Sequence, residues 1–413
     1  MSSIANSSSS TSALSSKNYR IYLYGNIFSV LGIWVQRLAL GWHAWQLSES
    51  TFVVGLIAAA QFLPLLVLSP FFGVMADRIR RRPSAIVAHL VLAGIAALLA
   101  AFTFVGSISV EKLFVLALLH GVANSAYSPI RMALIPDLVP PRQFPSAVAI
   151  SSVVFNLSRF LGPVLAGAIV TLYGLGYAYL INAITYVPII VSLFLLKIDD
   201  SRAASASSGS YFAQLMEGLR YTRDHHSIRQ VILLVGVSNF FGRGIVELMP
   251  AYAVLVFDGG SRVLAALMSA AGLGAIITSI LFSTGLVRLR LHTSVVLGTI
   301  GVGVSLVLFS FVRELETGLL SLLLIGFFTT AVAIASQSEV QIHVEDRLRG
   351  RVLSLWTILA IGGPAIGSLV GGAISNKVGA SGTSLIFAGA CLLLVLIVGI
   401  RKPVDARLHR IES

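Results

Sequence analysis

Residues 52–82 read FVVGLIAAAQFLPLLVLSPFFGVMADRIRRR. The first 25 of them, 52–76, carry no charge, and the last six hold one aspartate and four arginines. An uncharged run of about 20 residues crosses a hydrocarbon core about 30 Å thick, and a basic cluster at its end anchors that end. The stretch therefore predicts a membrane-spanning helix over 52–74 followed by a basic loop.

Outward from it, apolar runs of the same length recur along all 413 residues. The spans expected are 20–44, 52–74, 84–105, 112–131, 146–172, 177–197, 230–256, 263–286, 292–312, 317–338, 351–375 and 381–400. Of the 29 Lys and Arg, 22 fall in the ends and alternate connections that include 78–82. Four fall in the other connections (Lys112, Arg262, Arg313, Lys377), and Arg37, Arg159 and Arg243 lie inside spans. By the positive-inside rule the basic side is cytoplasmic, so both termini are expected inside and the number of spans is even. The formal charge of +12 then reports topology and attraction to anionic lipid, and no nucleic-acid partner is called for.

With 56% hydrophobic and 11% charged residues, the composition belongs to a polytopic membrane protein and leaves little chain for a soluble catalytic domain. The single cysteine, Cys391, excludes internal disulfides and cysteine-based metal clusters, and no cofactor or metal is expected. The expected organisation is a disordered cytoplasmic tail over 1–16 and a six-helix half over 17–197. Next come a linker with an amphipathic helix over 198–229, a second six-helix half over 230–400 and a tail over 401–413. A weak repeat supports duplication: residues 162–169, GPVLAGAI, recur 205 positions later as GSLVGGAI at 367–374. Its small residues let helices approach closely in lipid.

The loop Gly73-Val74-Met75-Ala76-Asp77-Arg78-Ile79-Arg80-Arg81-Arg82 resembles the major facilitator signature G-x-x-x-D-R-x-G-R-R. It matches at Gly73, Asp77, Arg78, Arg81 and Arg82, and departs at Arg80, where the family has its second glycine. The resemblance extends over essentially the whole chain and implies twelve helices in two pseudo-symmetric halves. It also implies that Asp77 and its arginines latch the cytoplasmic ends together, with Gly73 letting helix ends cross. Gly32 to Arg37, Leu63-Pro64, Ile135 to Val139 and Asp346 to Arg351 look like the branch containing the enterobactin exporter and related bacterial efflux proteins. Gly162-Pro163-Val164-Leu165-Ala166-Gly167 is similar to the family's antiporter motif G-P-x-x-G-G, with Ala166 out of pattern. That is mild support for export, although such a pair can simply kink a helix.

Ionisable residues inside spans are costly and usually face a cavity or one another. Asn239, Arg243 and Glu247, spaced by four, are expected on one face, with Glu247 paired to Arg243 as the proton-coupling carboxylate or as a static ion pair. His120, Asn124 and Tyr127 or Ser128 form a second polar stripe; Gln36, Arg37, Asn156, Arg159 and Gln337 are further transport candidates. Arg37, close to the expected span end, is assigned to the outer interface. Arg159, near mid-depth, is expected to meet a carboxylate or an anionic substrate group. Trp34, Phe62, Phe240, Phe241 and Trp356 could line an aromatic wall, although lipid-facing packing accounts for most such residues.

No phosphate-binding loop G-x-x-x-x-G-K-[ST] occurs, so an ATP-driven pump would need a separate subunit. The reading these features support is an alternating-access secondary transporter of a bacterial inner membrane, not an enzyme. It would be a monomer with protons as coupling ion, exporting a small amphipathic molecule such as a siderophore or drug. The alternatives are a lipid or lysolipid flippase of the same fold and, from a different class, a membrane-embedded acyl transferase. The latter needs a nucleophile with an orienting base, and none is evident.

Overall fold

The computed structural model describes residues 12–76, 79–198, 211–286 and 289–399, which are almost entirely helical and contain no strand. The first six helices are α1 (Lys17–Ser48), α2 (Thr51–Ala76), α3 (Arg81–Phe104), α4 (Val110–Leu134), α5 (Phe144–Tyr173) and α6 (Leu175–Leu195). A surface helix α7 (Tyr211–Asp224) leads into α8 (His226–Ser238), a π-helical turn over Asn239–Arg243, α9 (Gly244–Glu247) and α10 (Met249–Leu255). Then come α11 (Ser261–Ser283), α12 (Leu291–Ser310), α13 (Leu315–His343) and α14 (Asp346–Gly399).

Eleven helices among the described residues are long and apolar enough to cross a membrane. The expectation of twelve meets α14 here: its 54 residues contain Gly379 at φ 76°, a conformation that favours glycine and breaks the helix. The segment before Gly379 packs on the π turn, where a Cβ at Gly367 would stand 2.0 Å from the Phe240 carbonyl oxygen. The segment after it packs on α12, with Leu392 against Gly303.

Which helix touches which reveals the duplication. In the first half α2 packs on α4, α3 on α6 and α1 on α5; in the second, α11 packs on α13, α12 on α14 and the π turn on α14. The halves meet through α2 with α14 and through α5 with α11, a symmetric exchange. Glycines make both contacts close: a Cβ at Gly55 would lie 2.3 Å from the Ser368 carbonyl oxygen, and one at Gly167 would lie 2.3 Å from the Ala265 Cβ. In lipid, tight packing and interhelical hydrogen bonds hold helices together because no apolar surface is withdrawn from water. Hydrogen bonds at the same end of the bundle join Asn376 to the Ser50 hydroxyl (3.1 Å) and Thr171 to Ser261 (2.8 Å). This end carries the cation-poor connections.

Local signals set the ends. Ser16 and Ser109 cap α1 and α4 by accepting from the Tyr19 and Lys112 amides. Residues 12–16 depart from the expected tail: they form a 3₁₀ turn over Ala13–Ser15 that is bound to the first half. The Ala13 amide donates to the Ser146 hydroxyl (3.1 Å) and the Ser16 hydroxyl to the Leu138 carbonyl (2.6 Å). Residues 1–11 and 401–413 lie outside the described residues.

The linker helix α7 is docked onto the second half. Its Glu217 pairs with Arg351, a Cβ at Gly218 would meet the Arg351 carbonyl oxygen at 2.8 Å, and Tyr221 packs against the cluster formed by Ile228, Ile232, Val340, Val344, Leu348 and Val352. Burial, then the nearby Glu345, raises the Tyr221 hydroxyl above its usual range.

Asp77 and Arg78 lie outside the described residues. Arg81 pairs with Asp137 (2.6 Å) and donates to the Ala133 carbonyl, while Arg82 donates to the Phe194 carbonyl (2.8 Å). Among the described residues, these arginines brace α3 against the end of α4 and against α6 inside the first half. Among the described residues nothing lies within 4 Å of where a Gly73 Cβ would be.

Candidate functional site

The second half's counterpart of α1 is interrupted where the chemistry lies. The π turn over Asn239–Arg243 widens one turn of helix and rotates α9 relative to α8. Asn239, Arg243 and Glu247 consequently do not share the expected face. Asn239 is buried, donates to the Val235 carbonyl (2.9 Å) and lies against Gly363. Arg243 and Glu247 point into the bundle centre, where they line one cavity with Trp34, Arg37, Arg159 and Pro163. Val246, Met268 and Ala271 complete its wall. Single π turns in helices are frequently found at functional sites.

Glu247 does not pair with Arg243. Its carboxylate accepts a hydrogen bond from the Arg37 guanidinium of α1, an ion pair between the two halves. Arg37 is also held between two rings, 4.8 Å from the Trp34 centroid and 4.7 Å from that of Phe62. It is thus not at the outer interface: α1 continues to Ser48, a turn beyond the expected end at 44, which places Arg37 one turn deeper.

Three arginines face one carboxylate in this cavity, so the enclosed formal charge is positive by two. Arg159 enters from α5 in the first half and Arg243 from the second; neither has a hydrogen bond or ion pair among the described residues. The cavity holds about 20 Å³, room for about one water molecule, and a void of about 10 Å³ lies on the other side of the ion pair beside Gly41, Gln61 and Pro250. Close packing builds these walls. A Cβ at Gly162 would stand 2.3 Å from the Trp34 Cβ and one at Gly41 2.7 Å from the Pro250 ring.

Other sequence candidates fall elsewhere. Gln36 is buried in the α1–α6 contact, where it accepts from Asn182 (2.6 Å). Asn156 donates to the Ser152 carbonyl of its own helix (3.0 Å), and Gln337 is exposed. His120 is buried with an unpartnered Nδ1 and lines neither void; Asn124, a turn further along α4, is half-buried and also outside them. Gly162 and Gly167 serve helix contacts, and Pro163 lines the cavity. Sequence reasoning missed Met268 and Val246, which carry only generic apolar signals, and the π turn, which leaves no local signature. No group of three or more metal-ligating side chains occurs among the described residues.

Two helical halves repeated in sequence and packing, closing on a charged cavity between them, define a transporter of the major facilitator type. The chain belongs to the transmembrane secretion effector family of that superfamily, whose description matches residues 8–410. It is 25% identical over 339 residues to the staphyloferrin A transporter of Staphylococcus aureus, covering 81% of this chain and 84% of that protein. It is 24% identical over 390 residues to the enterobactin exporter EntS of Salmonella typhimurium, covering 92% of each. Among solved structures, a POT family transporter in complex with 5-aminolevulinic acid superposes with TM-score 0.75 at 13% identity, covering 93% of this chain and 96% of that one. The nucleoside transporter NupG superposes with TM-score 0.71, covering 92% and 99%. The protein is therefore a multi-pass membrane transporter acting on a small molecule, and not an enzyme.

Proposed function

We propose that this protein exports a small amphipathic molecule in exchange for protons, by alternately opening its two halves to either side of a bacterial inner membrane. The observation that carries the reading is the Arg37–Glu247 ion pair, which ties α1 to α9 across the interface in the cavity's wall. Protonating Glu247 removes its negative charge and releases Arg37; losing the proton restores the contact. A two-state element biased in this way lets proton binding and substrate binding act on the same equilibrium. Export, rather than uptake, is supported by the likeness to the enterobactin exporter and by the Gly162-Pro163 pair.

The basic end of the bundle faces the cytoplasm in this reading, and both termini lie there. The tight glycine contacts at the opposite end, Gly55 on Ser368 and Gly167 on Ala265, support a state closed to the outside. The functional unit is a single chain. Proteoliposomes with an imposed pH gradient test the proposal, with enterobactin, a macrolide and the dicarboxylate adipate as probes. Gradient-driven movement of any one of them supports it, and movement of none under any gradient overturns it.

A further inference from the structure

Resting on the transport reading above, we propose that the molecule carried is an organic dianion bearing two carboxylates, one held by Arg159 of the first half and the other by Arg243 of the second. The cavity's two-charge excess has no counter-charge among the groups lining it. Enclosed charge in a membrane protein is retained where something pairs with it. Arg37 already has its partner in Glu247, so the two remaining guanidiniums define the number and sign of the missing groups.

Their chemistry defines the kind of group. A guanidinium presents a rigid, planar fork of donors that matches a carboxylate bidentately and cannot be neutralised at ordinary pH. The protein's own carboxylate on Arg37, a few side chains away in the same wall, shows that this environment accepts such a pairing. The rest of the lining is apolar, with Trp34, Val246 and Met268 suited to a carbon skeleton between the two ends.

The placement also gives the ligand a mechanical role. Arg159 stands on α5 and Arg243 on the π turn, so a dianion bridging them touches both halves and binds best in the arrangement that brings both within reach. Differential affinity of this kind is what lets a substrate shift a conformational equilibrium. The present cavity of about 20 Å³ is too small for the bridge, so the halves part to admit it.

Thermal unfolding of the purified full-length protein in detergent, at one pH and with no gradient, tests this with adipate, its monomethyl ester, its dimethyl ester and sulfate at matched ionic strength. Adipate is expected to raise Tm with saturation, the monoester less and the diester not at all. Arg159→Gln and Arg243→Gln each abolish the adipate shift. Arg159→Lys and Arg243→Lys, which keep the charge and lose the fork, weaken it about tenfold and decide the matter should the Gln variants not fold. No adipate shift, an equal shift with the diester or with sulfate, or unchanged affinity in both Lys variants overturns the inference. Gradient-driven flux of any probe without an adipate shift sinks this inference alone; an adipate shift without gradient-driven flux of any probe, adipate included, leaves Arg159 and Arg243 as a dicarboxylate site and sinks the transport reading together with the claim that the dianion is carried.

Discussion

Arg37 on α1 and Glu247 on α9 stand 210 positions apart in sequence and form an ion pair across the interface between the two halves. Both side chains are largely shielded, at 16% and 9% exposure, so Arg37 without Glu247 would be a third enclosed cation with no carboxylate, and Glu247 without Arg37 would lose the one guanidinium that bonds it. Removing one partner of such a pair costs about 3–5 kcal/mol, whereas removing both can be nearly neutral. Arg37→Gln and Glu247→Gln are therefore expected to lower Tm clearly, and the double variant to recover most of the loss. Differential scanning fluorimetry in detergent reads the cycle; a double variant as unstable as the sum of the singles would refute the pairing.

The Arg81–Asp137 pair belongs to a different class. Asp137 is a third exposed and Arg81 also holds the Ala133 carbonyl, so the pair's own contribution is about 0–1 kcal/mol. Asp137→Asn is expected to change Tm by less than Glu247→Gln does, in the same assay.

Close approach of α14 to the π turn makes Gly367 intolerant of a methyl group, because the Phe240 carbonyl oxygen lies 2.0 Å from the Cβ position. Gly367→Ala should destabilise by about 1–3 kcal/mol and displace the turn that carries Arg243. Gly94→Ala, where nothing lies within 4 Å, serves as the control and should be neutral or slightly stabilising.

The contact of Ser50 with Asn376 offers a direct handle on the motion. In a Cys391→Ala background, Ser50→Cys with Asn376→Cys is expected to cross-link with a short thiol-reactive bridge and to stop transport until the bridge is reduced. Efficient cross-linking with undiminished flux would show that this end does not open.

How much of this was legible from the sequence depends on whether the signal is local. Span extents were, since hydropathy is summed along a chain segment: 84–105 was expected and Arg81–Phe104 is observed, 177–197 and Leu175–Leu195. Partners were not. The pairing of Glu247 with Arg37 rather than Arg243 depends on where two distant helices cross and on a π turn that shifts the register in between. Arg37 was assigned to the outer interface because α1 runs four residues beyond its expected end, to a Glu49 cap in the left-handed conformation (φ 49°). Arg81 and Arg82 are recognisable by motif, while the particular carbonyl and carboxylate they bond to within the first half depend on how distant helix ends meet.

Proton movement in proteoliposomes carrying an internal pH dye tests the central claim, that Glu247 couples protons to substrate by making and breaking its bond to Arg37. On addition of a transported probe, the wild-type protein is predicted to move protons in proportion to flux. Glu247→Gln should keep probe exchange and lose the proton signal. Probe-linked proton movement undiminished in Glu247→Gln would contradict the account.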